Sequence, residues 1–117
     1  MKIVVSAAGA GSENEVDPRF GRAANFLVFD SARESWTLLE NTQAPEAAHG
    51  AGIQAAETIC RHGAEALITG RVGPKAFAVL SAGGVKVYRG DGRTAKEAVE
   101  ASRAGRLAEI KESDPAY

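Results

Sequence analysis

The segment Lys2-Ile3-Val4-Val5-Ser6-Ala7 is β-branched and almost wholly apolar, with none of the polar alternation of a half-solvated strand. Such a run reads as a strand buried on both faces near the middle of a sheet. A strand of that kind needs helices to cover it. At 117 residues the chain is long enough for one core and too short for two independent ones, so a single α/β unit is expected.

The remaining elements follow from local pattern. Asn25-Phe26-Leu27-Val28-Phe29-Asp30 and Trp36-Thr37-Leu38-Leu39-Glu40-Asn41 read as strands joined by the polar turn Ser31 to Ser35, an antiparallel hairpin. Between Gly52 and His62, the residues Ile53, Ala56, Ile59 and Cys60 recur at helical spacing, and Gly63 stands where a left-handed cap belongs. Ala66-Leu67-Ile68-Thr69 is a short buried strand; Pro74 then suits the first turn of a helix that carries Phe77 and Leu80 inward and stops at Gly83-Gly84. Val85-Lys86-Val87-Tyr88 is a fifth strand, and Thr94-Ala95-Lys96-Glu97 matches the capping box of a third helix, expected to run to about Leu107. Residues 108–117 are expected to form a flexible tail. The predicted architecture is a mixed five-stranded sheet flanked by about three helices.

Composition narrows the partners. A hydrophobic share of 44% and a charged share of 25% argue against disorder. A net charge of -1 gives no global attraction to nucleic acid or to an anionic membrane, so any anion site must be local. With Cys60 as the single cysteine, neither an intrachain disulfide nor a thiolate metal cage can form within one chain, which fits a reducing compartment. The opening residues are far short of a signal peptide's apolar region or a membrane span, and a cytoplasmic location is expected.

Tracking strand direction sorts the loops. If the first strand runs up, the hairpin sends the second down and the third up, and helical crossovers return the fourth and fifth upward. The upper edge then collects Gly9 to Arg22, Asn41 to Gly52, Gly70 to Lys75 and Arg89 to Arg93. It gathers Arg19, Arg22, His49, Arg71 and Lys75 with the N-termini of two helices, whose amides and dipoles favour anions. Ligands in open α/β sheets bind at this carboxyl edge. The pattern points to a compact polyanion held by Arg forks and by amides that Gly lets approach closely. Phosphate, sulfate, another oxyanion and a thiometallate all qualify on these grounds.

Three motifs go further: Asp17-Pro18-Arg19-Phe20-Gly21-Arg22-Ala23, His49-Gly50-Ala51-Gly52 and Gly70-Arg71-Val72-Gly73-Pro74-Lys75-Ala76. In sequence and in order they resemble the dinitrogenase iron-molybdenum cofactor biosynthesis family, over nearly the whole chain. The resemblance implies a three-layer ribonuclease H-like fold and a non-catalytic role in binding or carrying a metal-sulfide cluster containing molybdenum with copper or iron. Some members are small stand-alone carriers of a molybdenum-copper sulfide cluster, which suits this chain's length. Carried over by position, the cofactor-binding residues are Arg19, Phe20, Gly21, Arg22, His49, Gly50, Gly52, Arg71, Gly73 and Lys75. No motif contains cysteine, so electrostatic capture of a preformed anionic cluster is expected, with His49 as the candidate metal ligand. The implied partner is a protein that donates or accepts the cluster.

Each assignment has a plainer counterpart. Arg19 and Arg22 could pair with Glu13, Glu15 or Asp17 as ordinary surface charges. Gly50, Gly52, Gly70 and Gly73 could serve turns and caps alone. His62 suits the negative end of its helix, and Cys60 falls on an apolar stripe as inert core. Phe26, Phe29 and Trp36 fit strand packing better than base stacking. A two-metal hydrolase would need carboxylates converging on the sheet, and the first strand offers none. No Ser-His-Asp pattern and no Gly-x-x-x-x-Gly-Lys-Ser/Thr loop is present. The alternative that uses the same basic edge is a phosphate- or nucleotide-binding regulatory module.

Overall fold

The computed structural model describes residues 1–40 and 51–112. Six strands among them form one mixed sheet: β1 (Lys2–Ala7), β2 (Asn25–Asp30), β3 (Ser35–Glu40), β4 (Ala66–Thr69), β5 (Lys86–Arg89) and β6 (Ala108–Ile110). Their order across the sheet is β3-β2-β1-β4-β5-β6. β1, β4 and β5 are parallel, while β2, β3 and β6 each run against the strand before them in that pairing. The helices α1 (Ala51–Arg61), α2 (Pro74–Ala82) and α3 (Ala95–Arg103) follow β3, β4 and β5. The mixed α/β sheet with three helices expected from the sequence is the fold found.

The period of two along each strand divides the core into two layers. Ile3, Val5, Leu27, Phe29, Ala66 and Ile68 face α3, where Ala95, Ala98 and Val99 meet them. Val4, Phe26, Leu67 and Val87 face the other way, toward Ala55, Ala56 and Ile59 of α1 and Ala76 and Leu80 of α2. β1 is therefore sealed on both faces, with Val4 and Val5 wholly buried. Burying one such side chain stabilises the fold by about 1.5–3 kcal/mol, so the centre of the sheet is its most firmly set part. Trp36 packs its ring on Phe29, centroids 5.0 Å apart, and Phe26 packs on Phe20 at 5.5 Å. These aromatics serve packing.

Two expectations are corrected. The sheet has six strands, not five: Ala108–Ile110, in the stretch predicted to be a tail, pairs antiparallel with β5 through Val87–Ile110, Tyr88–Glu109 and Arg89–Ala108. And α3 ends at Arg103, short of Leu107, because Gly105 takes a left-handed conformation at φ 72°. The amides of Gly105 and Arg106 then donate to the carbonyls of Ser102 and Ala101, the paired bonds of a Schellman cap. Gly63 and Gly84 end α1 and α2 with the same bonds. The cap turns the chain back so that β6 can join the sheet edge.

The capping box of α3 is present as predicted. Thr94 Oγ1 accepts from the Glu97 amide at 3.2 Å, and Glu97 Oε1 accepts from the Thr94 amide at 2.9 Å. The hydrogen bond from the Thr94 amide, assisted by its hydroxyl, lowers the Glu97 carboxyl pKa. A carboxylate whose pKa is lowered by folding contributes stability above its unfolded value and loses it as pH falls through the folded one. Thr94→Ala is expected to cost about 1 kcal/mol in urea unfolding at neutral pH. The gap between the two proteins should narrow in acid, below the ordinary carboxylate range; a gap that widens there contradicts the assignment.

Candidate anion-binding site

The carboxyl ends of β1, β4 and β5 share one edge of the sheet, where α2 and α3 begin. The loop after β1 is first fastened to α3. Ala7 and Glu15 form bridges with Val16 and Thr94, and the Val16 amide donates to the Arg93 carbonyl. The Ala95 amide donates to the Asn14 carbonyl at 2.8 Å and the Lys96 amide to the Ser12 carbonyl at 2.9 Å. With the Glu97 amide held by Thr94, all three first-turn donors of α3 are taken from within the chain. That helix terminus is closed to an anion.

The same loop then crosses the gap between β1 and β4. The Arg71 amide donates to the Pro18 carbonyl at 2.7 Å, the Phe20 amide donates to the Arg71 carbonyl at 3.2 Å, and Arg19 bridges Arg71 in parallel. Two arginines far apart in sequence thereby become neighbours on the main chain. Gly70 makes the crossing possible: a Cβ there would lie 2.5 Å from the Pro18 carbonyl oxygen and 2.7 Å from its Cα. Phe20 anchors the 3-10 turn Phe20–Arg22 by burying its ring, 1% exposed, against Phe26.

Behind this crossing stands α2, whose N-terminus contrasts with that of α3. Its N-cap is Gly73, with no side-chain cap, and Pro74 at the first position brings no N–H. The Phe77 amide reaches the Gly73 carbonyl. Among the described residues the Lys75 and Ala76 amides meet no acceptor, and the positive end of the helix dipole lies at this edge. The second motif meets the other two here: a Cβ on Gly52 would lie 3.4 Å from the Ala76 Cβ and 3.9 Å from the Gly21 Cα.

The predicted site residues therefore fall out as follows. Arg19, Arg22, Arg71 and Lys75 are exposed on this edge, and Gly21, Gly52 and Gly73 are half-buried among them. Phe20 is core, so its side chain seats the turn and does not face a ligand. His49 and Gly50 lie outside the described residues. Among the described residues no ion pair joins Arg19 or Arg22 to Glu13, Glu15 or Asp17; Asp17 Oδ1 accepts from the Arg19 amide at 2.9 Å. Among the described residues the ion pair present is Arg103 with Glu34, at 3.9 Å. The Arg19–Arg71 bridge sets two residues of like charge beside each other on the main chain. Sequence reasoning did not single out Ser6 and Thr69, and it read Gly70 within a motif and as a turn glycine without the close approach to Pro18.

Cys60 takes no part in this edge. It sits near the far end of α1, its Sγ directed to the Val79 carbonyl at 3.8 Å. Burial, then the nearby Glu57, pushes its thiol pKa up, which disfavours the thiolate a metal would need. Among the described residues no group of three or more His, Cys, Asp or Glu side chains could hold a metal ion. The donors at the edge are guanidinium, ammonium and amide N–H, a set that binds a preformed anion.

The model of the dinitrogenase iron-molybdenum cofactor family matches residues 1–105. The chain belongs to that family. The apo form of the orange protein of Desulfovibrio gigas superposes with a TM-score of 0.92 at 41% identity, over 97% of this chain and 95% of that one. A NifB-type protein of Thermotoga, of the DUF35 family, superposes with a TM-score of 0.86 at 34% identity, over 99% of this chain and 98% of that one. An uncharacterized protein of Methanocaldococcus jannaschii is 30% identical over 97 residues, 80% of this chain and 81% of its own. Family membership makes a part in cofactor binding or assembly the coarse function of this chain. Among its described residues no helix is long and apolar enough to cross a membrane.

Proposed function

We propose that this chain is a non-catalytic carrier of an anionic metal-sulfide cluster of molybdenum with copper or iron, held at the edge formed by Arg19, Arg22, Arg71 and Lys75. The observation that carries this reading is the main-chain pairing of Arg19 with Arg71, both exposed and neither in an ion pair among the described residues, beside the N-terminus of α2, which has no side-chain cap. A thiometallate brings its own sulfide ligands. The protein then supplies counter-charge and N–H donors to the outer sulfurs and need not break into the metal's coordination sphere. Holding of this kind is reversible, as delivery to an acceptor protein requires. His49 is the side chain proposed to add a nitrogen ligand.

The test is to add tetrathiomolybdate with copper to the apoprotein, and ATP to a separate sample. Visible colour that co-elutes with the protein, with a thermal shift of several degrees at saturating cluster, is the expected result. A colourless protein with a shift produced by ATP would replace the carrier with the phosphate- or nucleotide-binding module. Because the contacts are largely exposed and electrostatic, retention should also weaken steeply between low salt and about 1 M salt, where the screening length falls to about 3 Å.

A further inference from the structure

Ser6 and Thr69 are the buried polar residues among those described, each fully excluded from solvent. Thr69 ends β4 and Ser6 is the last residue but one of β1; each stands one step beyond the paired residues Val5 and Ile68, beneath the crossing that carries Arg19 and Arg71. Ser6 Oγ is 2.7 Å from Thr69 Oγ1 and 2.8 Å from the Asp17 carbonyl oxygen. A carbonyl can only accept, so the Ser6 proton goes to Asp17 and the Thr69 hydroxyl donates to Ser6. The Asp17 amide donates back to the Ser6 carbonyl at 2.8 Å, which clamps Asp17 on both sides.

From Asp17 the chain of bonds divides. Its carboxylate holds the Arg19 amide, and the next residue, Pro18, offers its carbonyl to the Arg71 amide. Core packing alone would accept Ala and Val at these two positions, since Val4 and Leu67, two residues back on the same face of each strand, are apolar and wholly buried. A buried hydroxyl that lacks a partner costs free energy, so a hydroxyl pair is kept where its directional bonds are used.

We infer that the Ser6–Thr69 pair is a positioning device: it fixes the height of Asp17 above the sheet and thereby the spacing of Arg19 and Arg71. The inference rests on the carrier reading for its consequence, and on the apoprotein alone for its geometry. Partners that orient binding groups from behind commonly change affinity by about 10–100-fold when removed.

The experiment compares Ser6→Ala, Thr69→Val and Thr69→Ser with the parent in two readouts. The first is amide hydrogen exchange of Phe20 and Arg71 in the apoprotein, the two amides that close the crossing. The second is retention of the tetrathiomolybdate-copper adduct. Ser6→Ala and Thr69→Val are expected to exchange faster at both amides and to hold the cluster roughly tenfold more weakly, while Thr69→Ser stays close to the parent in both. Parental exchange in a folded Ser6→Ala and a folded Thr69→Val overturns the inference, as does a Thr69→Ser protein as weak as Thr69→Val. If Ser6→Ala does not fold, the near-isosteric Thr69→Val decides. If the parent itself takes up no cluster, the carrier reading fails and the exchange rates still judge the positioning role.

Discussion

Replacing both Arg19 and Arg71 with alanine is expected to weaken retention of the metal-sulfide cluster by about 10²–10⁴-fold and to leave the apoprotein folded. A hydrogen bond to a charged group contributes about 1.5–3 kcal/mol, so two contribute about 3–6, and each 1.4 kcal/mol is tenfold. The fold should survive because both side chains are exposed and the bonds that join their segments are main-chain. Removing two neighbouring positive charges also relieves their repulsion, so the apoprotein's Tm should hold or rise slightly. Arg61→Ala, at the opposite end of the sheet, is the matched control. Equilibrium dialysis against tetrathiomolybdate and copper gives the number, and a double variant that binds within threefold of the parent would remove these arginines from the site.

Gly70→Ala should damage both stability and binding. The new methyl would stand 2.5 Å from the Pro18 carbonyl oxygen and 3.0 Å from its carbonyl carbon, and main chain cannot swing aside as a side-chain tip can. Overpacking of this kind costs about 1–3 kcal/mol, a fall of roughly 5–15 °C in Tm for a chain of this size. The displaced Pro18 would also release the Arg71 amide, so cluster retention should fall with stability. A thermal melt and a binding isotherm on one sample decide it. An unchanged Tm with parental binding would show that the crossing does not depend on close contact at Gly70.

Much of this was legible in the sequence, for reasons that mark the boundary of such reading. The Ile3-Val4-Val5 run announces a central strand because both its faces must be apolar, and the sheet places it between β2 and β4. Gly63, Gly84 and the Thr94 box mark helix ends because caps are local chemistry. β6 was not legible: Ala108-Glu109-Ile110 has too few residues to show a period, and its strand conformation comes from the β5 edge it joins. The shared edge was legible, since strand direction alone gathers Arg19, Arg71 and Lys75 there. It was not legible that α3 would be filled by its own loop through Asn14 and Ser12, because those contacts span some eighty residues and leave no mark on local pattern. Phe20 shows the reverse error: within a binding motif it reads as a contact, yet its ring belongs to the core.

The contrast between the two helix termini offers the most direct measurement. An amide NMR titration of the apoprotein with tetrathiomolybdate and copper should move the Lys75 and Ala76 resonances most, with Arg19 and Arg71 following, and leave Ala95, Lys96 and Glu97 in place. Shifts centred on Ala95 to Glu97, or none at Lys75 and Ala76 in a sample that has taken up colour, would contradict the placement of the cluster at this edge.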